Sequence, residues 1–332
     1  SLSFILFRAP KFQTYVVSWL TDNVSQKLGT NISVGKVSYT FFRKIVLYDV
    51  LIEDLNRDTL LHARHVSMRI KEFRPSERTF SFGRVEIYEP DFRMATDSAG
   101  MMNLSWYINK LKSDGERDTT KSLNIHFPEI EIFNGAYSLS NVLDTVGVQP
   151  GRVNVRDMRI SSIDGQVSDL TINSDSVSMI IKQLSFRESG GFTSEKLNMP
   201  LSVRDEGLFF REIDLRTDSS SILADRVLIL KTDSAGYSDF LNKVRLDIIL
   251  KESLLNIHDL AYFVKPVAGI SQDVIISGKV SGPVAEMKGR DITIEYATST
   301  RVEFDFDVSG LPAINDSYLY IDFTSMSTRA DD

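Results

Sequence analysis

The residues that could do chemistry are few and scattered. Four histidines stand in the chain: His62, His65, His126 and His258. His62 and His65 are three apart, a spacing that on one helical face would offer two imidazoles to a metal. The residues around them alternate as in a strand, where an odd spacing sends side chains to opposite faces. All four therefore read as partly exposed structural histidines. Gly236-Tyr237-Ser238-Asp239-Phe240 begins like the turn that presents a nucleophilic serine, but it lacks the closing glycine. Gly35-Lys36 and Gly278-Lys279 end like a phosphate-binding loop without its upstream glycine. The 45 carboxylates alternate with apolar residues and do not converge in sequence; a catalytic pair assembled only by the fold stays open. With no cysteine there is no disulfide scaffold, thiolate metal site or thiol catalysis. The expectation is a non-enzymatic protein with no cofactor and no metal.

Bulk properties agree with a folded chain that does not bind nucleic acid. Hydrophobic residues make up 42% and charged residues 25%, too apolar for disorder. The net charge is −7 and no run of Lys and Arg occurs, so there is no basic patch for phosphates. Leu2-Ser3-Phe4-Ile5-Leu6-Phe7 is apolar but far short of the ~20 residues a membrane span needs. Residues 1–9 read either as a buried first strand or as the remnant of a membrane anchor. Arg8, Pro10 and Lys11, which suit an interface, favour the anchor.

The elements that would position any site are mostly strands. Residues 10–29 are the exception. Phe12, Val16, Trp19, Leu20, Val24 and Leu28 form one face of an amphipathic helix, begun by Pro10 and stopped by Gly29. It would cap a core, lie on a membrane surface or plug the end of a groove. Beyond Gly29 the period changes to two. It shows in Val37, Tyr39 and Phe41, in Val66, Met68 and Ile70, in Val153 and Val155, and in Val177, Met179 and Ile181. It continues in Val244, Leu246, Ile248 and Leu250, in Ile292, Ile294 and Tyr296, and in Val302, Phe304, Phe306 and Val308. Such alternation means one dry face and one wet face. Asn134-Gly135 between two such runs predicts a hairpin, and Asp164-Gly165, Glu206-Gly207, Ala235-Gly236 and Ser309-Gly310 predict further turns. Lys112–Lys121 is a polar loop, and residues 30–332 could subdivide near it. Short helical turns are expected after Asn103 and over Asp259–Val264.

An alternating sheet must bury its dry face, either against a second sheet or by curling around a ligand. Val66, Met68, Ile70, Val244, Leu246, Ile248, Val302, Phe304 and Phe306 are the residues we expect to line such a groove; for each, plain packing between two sheets is the competing reading.

The order of several short patterns resembles one family. Ile32–Val37, Phe41-Phe42, Leu47–Asp54 and Asp58–Leu61 resemble the N-terminal part of TamB proteins of the Bacteroidota type, within the AsmA-like group. Val274–Gly282, Phe186–Leu201 and Leu311-Pro312 look similar to the repeated segment of that family. The resemblance implies a mainly β fold, an elongated, curled, antiparallel-rich sheet forming a trough behind the N-terminal amphipathic helix. It implies a bridge-like lipid-transfer protein in the periplasm, anchored to the inner membrane by an N-terminal helix. Its cargo would be phospholipid moving to the outer membrane, with acyl chains as the bound partner and a TamA-like barrel as a possible protein partner through a C-terminal part that this chain lacks. Two other readings compete: a scaffold for outer-membrane protein assembly working through a sheet edge, and a β-sandwich interaction or adhesin module.

Overall fold

A computed structural model describes residues 25, 30–40, 44–74, 79–98, 102–103, 125–142, 144, 146–173, 176–232, 240–264, 269, 272–297, 299–311 and 316–329. The expected helix over 10–28 lies outside these residues except for Ser25, which is helical. The Lys112–Lys121 loop, the turn after Asn103 and Ala235-Gly236 lie outside them too.

The protein is mainly β, and among the described residues fifteen strands follow one another in the sheet in chain order. It divides into two compact units, Ser1–Asp175 with Ser185–Ser189, and Ser176–Leu184 with Gly190–Asp332. The first holds β1 (Ile32–Thr40), β2 (Lys44–Glu53), β3 (Thr59–Arg74), β4 (Thr79–Thr96), β5 (Ile125–Asn141) and β6 (Met158–Ile172). β7 (Ser176–Glu188) is shared between the units. The second unit holds β8 (Thr193–Arg204), β9 (Gly207–Arg216), β10 (Ser221–Lys231), β11 (Val244–Asn256), β12 (Asp273–Pro283), β13 (Glu286–Tyr296), β14 (Thr300–Ser309) and β15 (Tyr318–Ser327). Among the described residues it also holds two short helices, α1 (Phe240–Lys243) and α2 (Ile257–Ala261).

In the first unit β1 to β4 pair antiparallel, and so do β5 and β6. β4 and β5 pair parallel. The connection between residues 96 and 125 is long enough for the parallel return, which a tight turn cannot make. In the second unit β8 to β15 pair antiparallel throughout. Glu206-Gly207 and Ser309-Gly310 end strands there as the sequence predicts.

Four expectations are corrected. Asn134-Gly135 is no hairpin, because β5 runs straight through it for 17 residues. Asp164-Gly165 likewise lies inside β6. Both dipeptides serve mid-strand irregularities: Asn134 has φ 51°, and the β5–β6 register shifts on either side of Gly135. Val153 and Val155 do not form a strand. They lie between β5 and β6, where the Asn154 side chain donates to the Asp144 carboxylate at 2.6 Å and to the Gly147 carbonyl at 3.1 Å. α2 begins two residues earlier than expected, since the Asn256 side chain accepts from the His258 amide at 2.9 Å and so fixes the N-cap.

A break in alternation recurs within the strands. Leu47 and Val50 are three apart, yet both belong to one core cluster with Ile45 and Ala63. Val66, three residues beyond Ala63, packs against the same cluster. Asp49, with φ 51°, supplies the offset in β2. Strict period two therefore holds on each side of the break but not across it.

Candidate apolar face and its polar reverse

Cross-strand register gathers the alternating residues into rows. In the first unit Leu47, Val66, Ile87 and Ile132 are successive partners across β2 to β5. Ile45, Met68, Val85, Ile130 and Val167 make a second row, reaching β6. Val66 and Met68 thus sit on the apolar face, half-buried against the Ile45–Ala63 cluster. Ile70 lies in β3 opposite Phe82 by register; its side chain is outside the described ones.

The second unit repeats the design. Leu201, Phe210, Val227, Ile248, Val280, Gly289, Phe306 and Ile321 form one row across β8 to β15. Val203, Leu208, Ile229, Leu246 and Gly282 form a neighbouring row. Ile292, Phe304 and Phe323 are successive partners, as are Ser253, Ile276, Ile294, Val302 and Met326. Register thereby brings Ile248 and Phe306 into one row, with Leu246, Val302 and Phe304 on flanking positions of the same face. Val244 stands apart. It is fully buried at the α1–β11 junction and is a core residue, whereas Leu246, Ile248, Val302, Phe304 and Phe306 are half-buried, like Val66 and Met68.

Glycine makes room on this face. A Cβ on Gly289 would lie 2.1 Å from Cε1 of Phe306, so the ring rests directly on the glycine backbone. A Cβ on Gly278 would lie 2.6 Å from Cδ1 of Ile292. The Phe304 ring stands 5.9 Å from that of Phe323 and 6.3 Å from that of Phe306, both tilted, which is the spacing of interacting aromatics.

The reverse face is more mixed and is laced with ion pairs. In the second unit Lys196 meets Asp214 at 2.5 Å, Arg226 meets Asp247 at 3.0 Å, and Lys251 meets Asp225 at 2.6 Å. Further along, Lys279 meets Asp291 at 2.8 Å, Arg290 meets Asp307 at 2.6 Å, and Arg301 meets Glu303 at 2.7 Å. In the first unit Lys44 meets Glu86 at 2.9 Å, Arg64 meets Glu89 at 2.7 Å, and Arg84 pairs with Glu131. Hydrogen bonds from these cations hold the carboxyls of Glu131, Asp214, Glu303 and Asp307 below the usual carboxylate range. Exposed pairs of this kind each add little stability; they keep one face wet and penalise a slipped register.

Sequence reasoning overlooked an aromatic row on the reverse face of the first unit. Tyr48, His65, Tyr88 and Phe133 are successive partners across β2 to β5, each next in sequence to a member of an aliphatic row. Their ring centroids are 5.9, 4.0 and 4.6 Å apart, the last two pairs stacked. The signal was present only as register, since each aromatic is ordinary within its own strand. His65 belongs to this row, and His62 is paired by register with Leu51 and Asp91. Their spacing of three crosses the break between Ala63 and Val66, so the rule that odd spacing separates faces does not carry there.

One buried carboxylate also escaped notice. Asp259 in α2 accepts from the hydroxyls of Thr217 at 2.6 Å and Ser220 at 2.5 Å. Both hydroxyls donate to Oδ2, which pins α2 to the β9–β10 turn.

Among the described residues no group of three or more His, Asp or Glu could hold a metal ion, and no helix is long and apolar enough to cross a membrane. No family model, no curated protein and no solved structure matches the chain.

Proposed function

We propose that this chain is part of a TamB-like lipid-transfer protein whose sheet curls into a trough and carries phospholipid acyl chains on its apolar face. On this reading it works in the periplasm, held to the inner membrane by an N-terminal anchor, and conducts phospholipid toward the outer membrane without chemistry. The observation that carries the proposal is the state of the apolar rows in β8 to β15. They continue from strand to strand, yet Leu246, Ile248, Phe304 and Phe306 are only half-buried. Inner positions of a packed sandwich would be buried. A half-covered apolar row suits an acyl chain, since each methylene removed from water contributes ~0.8 kcal/mol, and the ion-paired reverse face keeps such a conduit soluble. Order of residue patterns at the N-terminal and C-terminal ends supports the family reading.

Uptake of a fluorescent phospholipid tests it. Leu246→Asp and Phe304→Asp place a charge on the apolar face and should abolish uptake while leaving the β signal in circular dichroism intact. Uptake unchanged in both variants, with folding intact, would overturn the trough.

A further inference from the structure

On the reverse face of the second unit cations and carboxylates are matched: Lys196 with Asp214, Arg226 with Asp247, Lys279 with Asp291 and Arg290 with Asp307. On the reverse face of β1 to β4 they are not. Between the Tyr48–His65–Tyr88 row and the nearer strand ends, alternation places Lys44 of β2, Arg69 and Lys71 of β3 and Arg84 of β4 there. Lys36 of β1 stands opposite Tyr48, in line with the row itself. Among the described side chains Glu86 is the one carboxylate with them. Glu72 and Arg74, one of each sign, follow in β3, and their side chains are outside the described ones. The sequence has no run of Lys and Arg; register between strands collects these cations.

Part of the charge is used within the sheet. Lys44 meets Glu86 at 2.9 Å, and Arg84 turns to β5, pairing with Glu131 and lying 3.7 Å from Glu129. The surplus is Lys36, Arg69 and Lys71. All three are exposed, and among the described residues none forms an ion pair. Arg69 lies directly opposite Lys44 by register, and like charges so placed disfavour a strand pair unless an anion screens them. The stem of Lys71 runs over Gly83, where a Cβ would lie 3.3 Å from its Cε. Lys36 Nζ stands 5.8 Å from the centre of the Tyr48 ring.

Neighbouring strands lie about 4.8 Å apart, so cations on β1 to β4 cover a patch roughly 15 Å wide. Such a patch is larger than one phosphate and suits several at once. The rings beside it are stacked on one another rather than open. Tyr88 has His65 at 4.0 Å and Phe133 at 4.6 Å, both stacked, so the base stacking that holds a single-stranded nucleic acid finds no platform there. The row offers ring edges and the phenol groups of Tyr48 and Tyr88, which suit the headgroup layer of a bilayer.

We propose that the reverse face of β1 to β4 docks on an anionic phospholipid bilayer, with Lys36, Arg69 and Lys71 taking headgroup phosphates and Tyr48 and Tyr88 lying at the headgroup level. The attraction is local, acting within about 10 Å at ~0.1 M salt, so the net charge of −7 on the whole chain does not cancel it. The inference concerns the reverse face and does not depend on what the apolar face carries.

Co-sedimentation of the full 332-residue chain with vesicles of phosphatidylcholine, with and without phosphatidylglycerol, tests it. The chain should bind the phosphatidylglycerol vesicles at least roughly tenfold more tightly, and added salt should remove the difference, given what each cation contributes near an anionic surface. The apolar stretch Leu2–Phe7 would act on both kinds of vesicle alike and does not produce the preference. Lys36→Gln, Arg69→Gln and Lys71→Gln together should abolish it with the β signal in circular dichroism intact, whereas Lys36→Arg with Lys71→Arg should keep it. Lys182→Gln, Arg187→Gln and Arg211→Gln remove the same charge from exposed positions elsewhere and should keep it too. Equal binding to both kinds of vesicle, a preference that survives the first triple variant, or one lost equally in the distant triple variant would overturn the proposal. Tighter binding, phosphate for phosphate, to a single-stranded oligonucleotide would also overturn it, by giving the face to nucleic acid. Phospholipid uptake in Phe304→Asp reads the apolar face and this preference reads the reverse face, so either reading can fail alone.

Discussion

The backbone amide of Asn134 donates to the carboxylate of Asp164 at 2.9 Å, across the β5–β6 pair and in mid-strand on both sides. Each residue precedes a glycine in a dipeptide that reads as a turn, and here the two dipeptides meet within the sheet. Asn134 takes the left-handed conformation with φ 51°, and Asp164 satisfies the amide that the irregularity frees. Gly135 is tightly surrounded: a Cβ there would lie 3.0 Å from Cγ2 of Ile132 and 3.1 Å from Cγ of Pro90.

Asn134→Val should therefore destabilise the protein by about 1–2 kcal/mol, because a β-branched residue tolerates the left-handed conformation far less well than Asn. Asn134→Gly should be close to neutral. Asp164→Ala should cost about 1 kcal/mol for the lost hydrogen bond. Chemical denaturation of the three variants checks the order; Val tolerated as well as Gly would mean that the backbone does not hold this conformation.

Gly289 and Phe306 form a matched pair. Gly289→Val should destabilise by about 1–3 kcal/mol through overpacking, because its Cβ would occupy the position of the Phe306 ring. Phe306→Ala should relieve part of that loss in the double variant. A thermodynamic cycle measures the coupling, and strictly additive effects would show that the two residues do not compete for space.

The pH dependence follows from the polar face. Side-chain hydrogen bonds from Arg84, Lys196, Arg301 and Arg290 lower the carboxyls of Glu131, Asp214, Glu303 and Asp307. A carboxyl lowered in the folded state stabilises it above the unfolded value of roughly 4 and loses that contribution as pH falls through the folded value. The unfolding midpoint should fall on acidification below about pH 5 and depend less on pH at high salt. Burial raises Tyr137, so its contribution is lost instead as pH rises above the ordinary tyrosine value of about 10. A midpoint that rises on acidification at low salt would contradict the first of these.

Asp259→Leu should cost about 1–3 kcal/mol, because it leaves the buried hydroxyls of Thr217 and Ser220 without their shared acceptor. Asp259→Asn keeps one acceptor and should cost less. Proteolysis near Phe263 and Val264, both exposed just beyond α2, reports whether the helix detaches. Cleavage unchanged in Asp259→Leu would show that the carboxylate does not hold it.

The strand class and most strand positions were legible because alternation is local: Val302, Phe304 and Phe306 show their common face within a few residues. The breaks were not legible, since Asn134-Gly135 carries the same residues whether the chain reverses or merely kinks. Which outcome wins depends on a partner 30 residues away, Asp164. The parallel β4–β5 pair and the Tyr48–His65–Tyr88–Phe133 row escaped for the same reason, being properties of register between strands. Of the candidate groove residues, Val244 shows the limit of alternation most clearly. It shares the period of Leu246 and Ile248 but sits where α1 meets β11, and is buried completely.

Native mass spectrometry of the detergent-free chain, with lipid extraction from the same sample, tests the central claim most directly. The lipid-conduit account predicts phospholipid bound at a reproducible stoichiometry and lost in Phe304→Asp. A single lipid-free mass that stays unchanged after incubation with phospholipid would contradict it.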